Sequence, residues 1–177
     1  MQNNETIKLI LERRSVRKYQ NRPVEPEKAD ILLACAFAAP SSKNYQPCHF
    51  MLIDDKALLE KIGASTPMAR MVGGAGLAIA VCVDVPDYEK RSGLTDGTWM
   101  EDAACAMENI LIAARALGLE GVFMQVTNRE DRENAIPPLL GVPEGVKVFA
   151  LAVLGYAAEE KTQRKEIDRT RLHKNSW

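Results

Sequence analysis

Three arginines and a serine stand within five residues near the start of the chain, in the segment Arg13-Arg14-Ser15-Val16-Arg17. A guanidinium group matches phosphate oxygens in a bidentate way, and Ser15 adds a hydroxyl and a backbone N–H, so this spacing suits a small anion. Apolar residues at helical spacing predict a helix over residues 4–14 that ends at these arginines. A solvated cationic helix end is therefore an equal alternative.

A second polar segment follows the next predicted helix. It offers two hydroxyls and two carboxamides in one short stretch, Pro40-Ser41-Ser42-Lys43-Asn44-Tyr45-Gln46-Pro47. Amide side chains both donate and accept hydrogen bonds, so they suit a ring whose edge alternates donors and acceptors. A polar surface turn is the simpler explanation of this composition taken alone.

The composition argues against several other classes of function. With 23 basic and 24 acidic residues the formal net charge is -1, so no global basic field indicates nucleic acid or a membrane surface. The four cysteines and two histidines lack the short spacings of a structural zinc site, and we expect no metal. The glycines of residues 73–76 precede an apolar run, which is the wrong order for a nucleotide loop. No signal segment or membrane-spanning run is evident, so we expect a cytoplasmic protein.

Helical and strand patterns alternate along the whole length and predict a single domain over residues 1–177, with helices on both faces of a sheet. The run 77–83 is apolar throughout and predicts a strand buried on both faces, whereas residues 84–97 look polar and irregular. Thr98 and Glu101 fit a capping box before an alanine-rich helix that ends near Leu117, with Gly118 as its C-cap. That helix is apolar on nearly all sides, so we expect the core or a partner chain to enclose it.

Four sequence blocks occur in a fixed order over essentially the whole chain. They are R-R-S-x-R at 13–17, P-S-S-x-N-x-Q-P at 40–47, W-x-x-D-x-x-x-A-x-x-N-I-L-x-A-A-x-x-L-G-L at 99–119, and a tail with Gly155-Tyr156, Arg164 and Arg171-Leu172-His173. Each block is weak alone, but together they resemble the nitroreductase family of FMN-dependent oxidoreductases. The resemblance implies an α+β fold, a three-layer α-β-α sandwich with a central mixed, largely antiparallel sheet. It also implies an intertwined homodimer that completes two FMN sites across its interface.

The resemblance further assigns roles to individual residues. Arg13 and Ser15, with Arg164 from the tail, would hold the FMN phosphate, and Arg14 would line the phosphate and ribityl region. Arg17 would lie near the N1–C2=O edge of the flavin and act as the catalytic residue. The backbone around Met124 and Gln125 would pass beside the ring. The second segment would reach the ring edge or the ribityl chain, in part from the neighbouring subunit, through Pro40, Ser41, Ser42, Asn44 and Gln46.

The implied activity is that of an FMN-dependent oxidoreductase. It would take a hydride from NAD(P)H onto flavin N5 and pass the electrons to a small acceptor, such as a nitroaromatic or a quinone, by a ping-pong mechanism. Arg17 would stabilise the negative charge that forms at N1–C2=O.

The main alternative is a flavin-binding carrier or sensor without efficient turnover. A specialised dehalogenating or flavin-cleaving branch is disfavoured because residues 84–97 are too short for an extensive lid. An interaction module for an acidic partner is the third alternative.

Three positions depart from the family pattern. Cys48 stands where a tryptophan is usual, Gln125 where a glycine is common, and Ala157 where a proline is usual. These departures affect the expected substrate specificity more than the expected binding of the flavin.

Overall fold

A four-stranded sheet organises the part of the chain that the computed structural model describes, residues 4–159 and 167–177. The strands lie in the order β1-β2-β4-β3, and the three strand pairs are antiparallel. A parallel component enters through an isolated bridge between Ser15 and Gly121. The predicted α+β class with a largely antiparallel sheet is confirmed. The strands are β1 (Cys48–Ile53), β2 (Leu77–Asp84), β3 (Glu120–Gln125) and β4 (Val146–Gly155).

Helices cover both faces of this sheet, as the three-layer prediction requires. One core cluster joins the sheet to α2 and α5, and a second joins its other face to α3 and α6. The helices are α1 (Glu5–Glu12), α2 (Pro26–Phe37), α3 (Lys56–Ser65), α4 (Val85–Ser92), α5 (Trp99–Ala116) and α6 (Glu130–Leu140), with 3₁₀ turns at Ser42–Asn44, Pro67–Gly74 and Arg169–Arg171. Within the described ranges no helix is long and apolar enough to cross a membrane.

The strand β2 lies at the centre of the core. Its residues from Leu77 to Val83 are all buried. Because successive side chains of a strand point to opposite faces, Ile79 joins the α2 and α5 side and Ala80 joins the α3 and α6 side. The predicted strand buried on both faces is confirmed, and it fixes the two helical layers on either side of the sheet.

The prediction of an irregular segment over residues 84–97 is wrong for Val85–Ser92, because these residues form α4. Asp84 caps this helix by accepting the backbone N–H of Asp87, and Pro86 stands in its first turn. Gly93 ends it with a φ of 71°, a left-handed conformation that glycine adopts without steric cost. The helix has a charged surface and buries only Tyr88, so it contains too few apolar residues to indicate a buried face in the sequence.

The predicted capping box at the start of α5 is also wrong. The hydroxyl of Thr98 bonds to the carboxylate of Asp96 and makes no cap bond to the helix. The other end agrees with the prediction: α5 closes at Ala116, and Gly118 follows with a φ of 74°. Local competition for the Thr98 hydroxyl explains the difference, since Asp96 lies two residues away with an ionised oxygen.

Candidate functional site

The arginine segment lies along the edge of the sheet and is not a frayed helix end. The helix α1 stops at Glu12, and the backbone N–H of Val16 donates to the carbonyl of Gly121 in β3 at 3.0 Å. The hydroxyl of Tyr19 lies 2.7 Å from the Val16 carbonyl and 2.9 Å from the Val153 carbonyl. Residues just after the arginine segment pair with the chain that follows β4, where the Ala158 N–H donates to the Lys18 carbonyl at 3.0 Å. The solvated helix end is therefore the poorer interpretation of this segment.

Glycine at position 121 is required where β3 packs closely against β4, at the residue that is also bridged to Ser15. A Cβ atom there would lie 2.5 Å from the Leu154 side chain and 2.8 Å from the Val153 carbonyl oxygen. Both contacts are far shorter than van der Waals distance, so a larger residue would push β3 away from β4. That displacement would also move the residue of β3 to which Ser15 is bridged.

The cations of this segment have different surroundings. The Arg13 Nε donates to the Glu108 carboxylate on α5 at 3.0 Å. An Nη of Arg14 donates to the Glu159 carbonyl at 3.3 Å, while its Nε is buried with no hydrogen-bond partner among the described residues. Arg17 is exposed, as is Ser15. A buried guanidinium N–H without a partner is costly, and an anion bound beside Arg14 would satisfy it.

The outer edge of β3 continues the same surface. Val126 donates to the Phe149 carbonyl of β4, whereas the Gly121 carbonyl accepts from Val16 on the opposite side. Because the two sides alternate along an antiparallel strand, Phe123 and Gln125 turn their backbone groups outward with Gly121. Met124 pairs with β4, and its side chain is buried in the core. Only Gln125 of the predicted pair therefore presents its backbone at this edge.

The segment from Pro40 to Pro47 is tightly held. Lys43, Asn44 and Gln46 adopt positive φ values of 44°, 58° and 48°, a region that costs about 1–3 kcal/mol for each non-glycine residue. Such strain persists only where the surroundings fix the backbone. Here the Gln46 N–H donates to the Ser41 hydroxyl at 2.9 Å.

Two helices hold the same segment from outside. The Ser42 N–H donates to Asp102 Oδ1 on α5 at 2.7 Å. The Tyr45 carbonyl accepts from Arg91 Nη1 on α4 at 3.0 Å, and Asp87 binds the Nε of that arginine at 2.7 Å. The prediction of a merely polar surface turn is therefore the weaker interpretation of this segment.

A cavity of about 210 Å³ opens beneath this segment. Asp102 is buried to all but 6% of its surface, and its Oδ2 has no hydrogen-bond partner within the described residues. Burial, followed by the Asp102 charge, raises the pKa of Cys48 to about 12, so its thiol is protonated at neutral pH and is a poor nucleophile. The lining residues that matter here are Phe37, Pro40, Ser41, Gln46, Cys48, Phe50 and Asp102.

Both segments are anchored on α5, but on different sides of it. Glu108 binds Arg13, and Asp102 binds the backbone of Ser42. Six residues of an α-helix span about 9 Å along its axis and about 120° around it. Among the described residues no hydrogen bond joins the two segments. One chain therefore presents two separate polar surfaces, one at the edge of β3 and one at the start of β1.

Comparison with known proteins decides the family. The family model described as "Nitroreductase family" matches residues 10–69 and 64–156. The chain belongs to the nitroreductase family. A protein of Archaeoglobus fulgidus named "Putative NADH dehydrogenase/NAD(P)H nitroreductase" is 38% identical over 176 residues, which is 98% of this chain and 99% of that protein.

Two further proteins are similar to this chain over most of its length. The solved structure of an "FMN-dependent Nitroreductase" from Clostridium difficile R20291 superposes with a TM-score of 0.84 at 32% identity. The superposed region covers 97% of this chain and 99% of the Clostridium difficile chain. The "FMN reductase [NAD(P)H]" of Bacillus subtilis is 25% identical over 177 residues, which cover 93% of this chain and 70% of that protein.

The nitroreductase motifs identify some of the residues at these two surfaces and miss others. Arg164 lies outside the described residues, so its phosphate contact stays a prediction. The motifs indicate no role for Asp102, although one of them contains it, or for Tyr19 just after the arginines. The sequence predicts Arg91 as a solvated charge, with a contact to the 2′-phosphate of NADPH as the alternative, and no signal indicates Arg132, because arginines on charged helices look like ordinary surface residues.

Proposed function

We propose that this nitroreductase-family chain binds FMN and uses it to oxidise NADH or NADPH, passing the electrons to a small acceptor such as a nitroaromatic or a quinone. The observation that carries the proposal is the pairing of the Arg13–Arg17 segment with Gly121, which sets a cationic group beside the open edge of β3. Bound FMN would supply the redox chemistry by accepting a hydride at N5 and releasing two electrons in a ping-pong cycle.

The residues present fit such a cofactor. Arg13, Arg14 and Ser15 offer guanidinium and hydroxyl donors to a phosphate, and the unpartnered Nε of Arg14 supports an anion at this place. Arg164 would complete this group from the tail. The outward backbone of Gln125 suits the ring, whose edge alternates donors and acceptors. The polar side chains of the second segment, Ser41, Ser42, Asn44 and Gln46, together with Pro40, suit the ring edge and the ribityl chain.

Arg17 is the residue that we assign to catalysis. Its side chain is exposed at the end of the cationic segment, on a backbone that the Val16 and Tyr19 hydrogen bonds hold in place. A guanidinium beside the N1–C2=O edge would stabilise the negative charge that develops there during hydride transfer.

We also propose that two copies of residues 1–177, each a single FMN-binding domain, complete two sites across a homodimer interface. The two polar surfaces lie on different sides of α5 within one chain, which supports sites assembled from two chains. Exposed apolar side chains on α1 and α2 support an interface as well: Ile7 39%, Ile10 49%, Leu11 36%, Ile31 46% and Phe37 64%. A cytoplasmic location stays a prediction from the sequence.

The function is tested by the absorbance spectrum of the purified protein with added FMN, followed by anaerobic NADH or NADPH. We expect stoichiometric FMN uptake, bleaching of the flavin band, and recovery of the band when a quinone or nitroaromatic is added. A protein that takes up no FMN would falsify the proposal. Uptake with negligible turnover would instead favour the carrier or sensor function.

Arg17→Ala tests the catalytic assignment. We expect flavin reduction to slow at least about tenfold while FMN is retained, because one preorganised charge is lost. Lys18→Gln is a matched control, since Lys18 is the next cation after that segment, and its Nζ lies 2.8 Å from the carboxylate Oε1 of Glu159. Equal reduction rates in the wild type and the Arg17 variant would refute this role.

A further inference from the structure

The guanidinium of Arg132 is buried at the outer edge of β3. This residue lies on α6, its side chain is only 12% exposed, and its Nη1 donates to the Gln125 carbonyl at 2.5 Å. The Gln125 carbonyl is one of the backbone groups that point away from β4. The arginine therefore reaches from its helix to the same strand edge that carries the Arg13–Arg17 segment.

The charge of Arg132 is poorly compensated. Its nearest carboxylate among the described residues is that of Asp131, 3.9 Å from its Nε and 48% exposed, and this Nε makes no hydrogen bond within residues 4–159 and 167–177. Arg115, which is 20% exposed, differs because it binds both Glu12 and Glu120. Burying a cation without a close counter-charge is unfavourable, so such a group is a candidate for an electrostatic role.

We propose that Arg132 is a positioning residue that fixes the Gln125 peptide against the FMN ring and raises the redox potential of the bound cofactor. This inference rests on the proposed function, which sets the ring beside Gln125. With FMN bound, hydride transfer would move two electrons and one proton from nicotinamide C4 to the flavin, so the nicotinamide would be oxidised and the cofactor would gain one negative charge. Two electrons and that proton would then pass to the acceptor, and solvent would supply one further proton. A buried positive charge nearby favours the reduced form over the oxidised form.

The test is the midpoint potential of bound FMN in the full-length holoprotein. For Arg132→Met we expect the ratio of reduced to oxidised FMN at a fixed potential to fall about tenfold, a shift of about 30 mV for a two-electron couple. The dissociation constant of reduced FMN should accordingly rise about tenfold more than that of oxidised FMN. Arg132→Lys keeps the charge and should restore most of the potential. Arg132→Gln keeps a donor for the Gln125 carbonyl without the charge and should behave like the methionine variant.

Arg129→Met is the matched control, because Arg129 is an exposed cation at the start of the same helix. Solvent screens its charge, so we expect no shift in potential. If Arg132→Met unfolds, as judged by circular dichroism, Arg132→Gln carries the measurement. A purely structural role would weaken both forms of FMN equally and leave the potential unchanged, and that result overturns the inference. Failure of the wild type to bind FMN would instead refute the proposed function itself.

Discussion

The Tyr156 hydroxyl, next to β4, donates to one carboxylate oxygen of Glu25 at 2.5 Å, and Arg22 donates to the other at 2.6 Å. Lys28 binds the same hydroxyl at 2.8 Å. The Tyr156 bond, followed by the Glu25 backbone N–H and the Arg22 bond, lowers the pKa of Glu25 to about 2. This residue cluster ties the chain beyond the arginine segment to the end of β4, and so helps to fix the candidate site.

The lowered pKa of Glu25 has a defined pH window. A carboxyl whose pKa falls on folding contributes stability above its ordinary value of 4.5, and this contribution is lost as the pH falls from 4.5 to about 2. Tyr156→Phe removes the largest cause, so we expect the pKa of Glu25 to rise toward 4.5. Carboxyl titration by NMR measures this directly. An unchanged Glu25 titration in the variant would show that Tyr156 is not the cause.

Residue types predict the cationic part of the site but not the residues that hold its backbone in place. Arg13, Ser15 and Arg17 are visible because phosphate chemistry needs donors at short spacing. Asp102 binds the backbone of Ser42, which is 60 residues away in sequence, and Arg132 on α6 reaches back across a turn to the backbone of Gln125 in β3. Such contacts depend on tertiary packing, and a single sequence does not encode them as a spacing.

At the scale of elements, α5 supports both polar surfaces, and Asp102 is its contact with the strained segment. Asp102→Ala would leave the half-buried Ser42 N–H without its carboxylate acceptor, and the loss of such a bond costs about 1–3 kcal/mol. We expect the free energy of unfolding in urea to fall by about this amount and the Ser42 amide to exchange faster. Asp102→Asn keeps an acceptor oxygen and should recover part of the loss.

Glu101→Ala supplies the control for that experiment. Glu101 precedes Asp102 on the same first turn of α5, but it is exposed. Its loss should change stability by less than about 0.5 kcal/mol, as is usual for a surface substitution. Equal effects of the two alanine variants would contradict the role of Asp102 as the acceptor that holds the segment.

Elements rich in apolar residues are predictable from this sequence, and elements with few apolar residues are not. The apolar run of β2 and the enclosed helix α5 follow directly from their composition. The helix α4 is not predicted because its stability depends on the Asp84 cap, on Gly93 and on one buried side chain, Tyr88. The capping box predicted at Thr98 does not form, since the hydroxyl of Thr98 donates instead to the neighbouring carboxylate of Asp96.

At the scale of the whole molecule, the separation of the two polar surfaces on α5 decides how sites can be assembled. Arg13 and Ser42 contact carboxylates six residues apart on one helix, on sides about 120° apart. In the proposed homodimer, the first surface of one copy would meet the second surface of the other, and a two-fold axis would repeat this contact so that two sites form. The exposed apolar residues of α1 and α2 would then be covered.

Mixed dimers test this assembly. One chain carries Arg13→Ala and Arg14→Ala, the other carries Ser41→Ala and Asn44→Ala, and each variant alone should lose FMN at limiting cofactor. When the two are unfolded and refolded together, random pairing makes about half of the dimers mixed, and each mixed dimer holds one site with no defect and one with both. We therefore expect about a quarter of the wild-type FMN capacity to return, as measured by flavin absorbance after gel filtration. Sites built within single chains predict no recovery, because every chain then keeps its own defect.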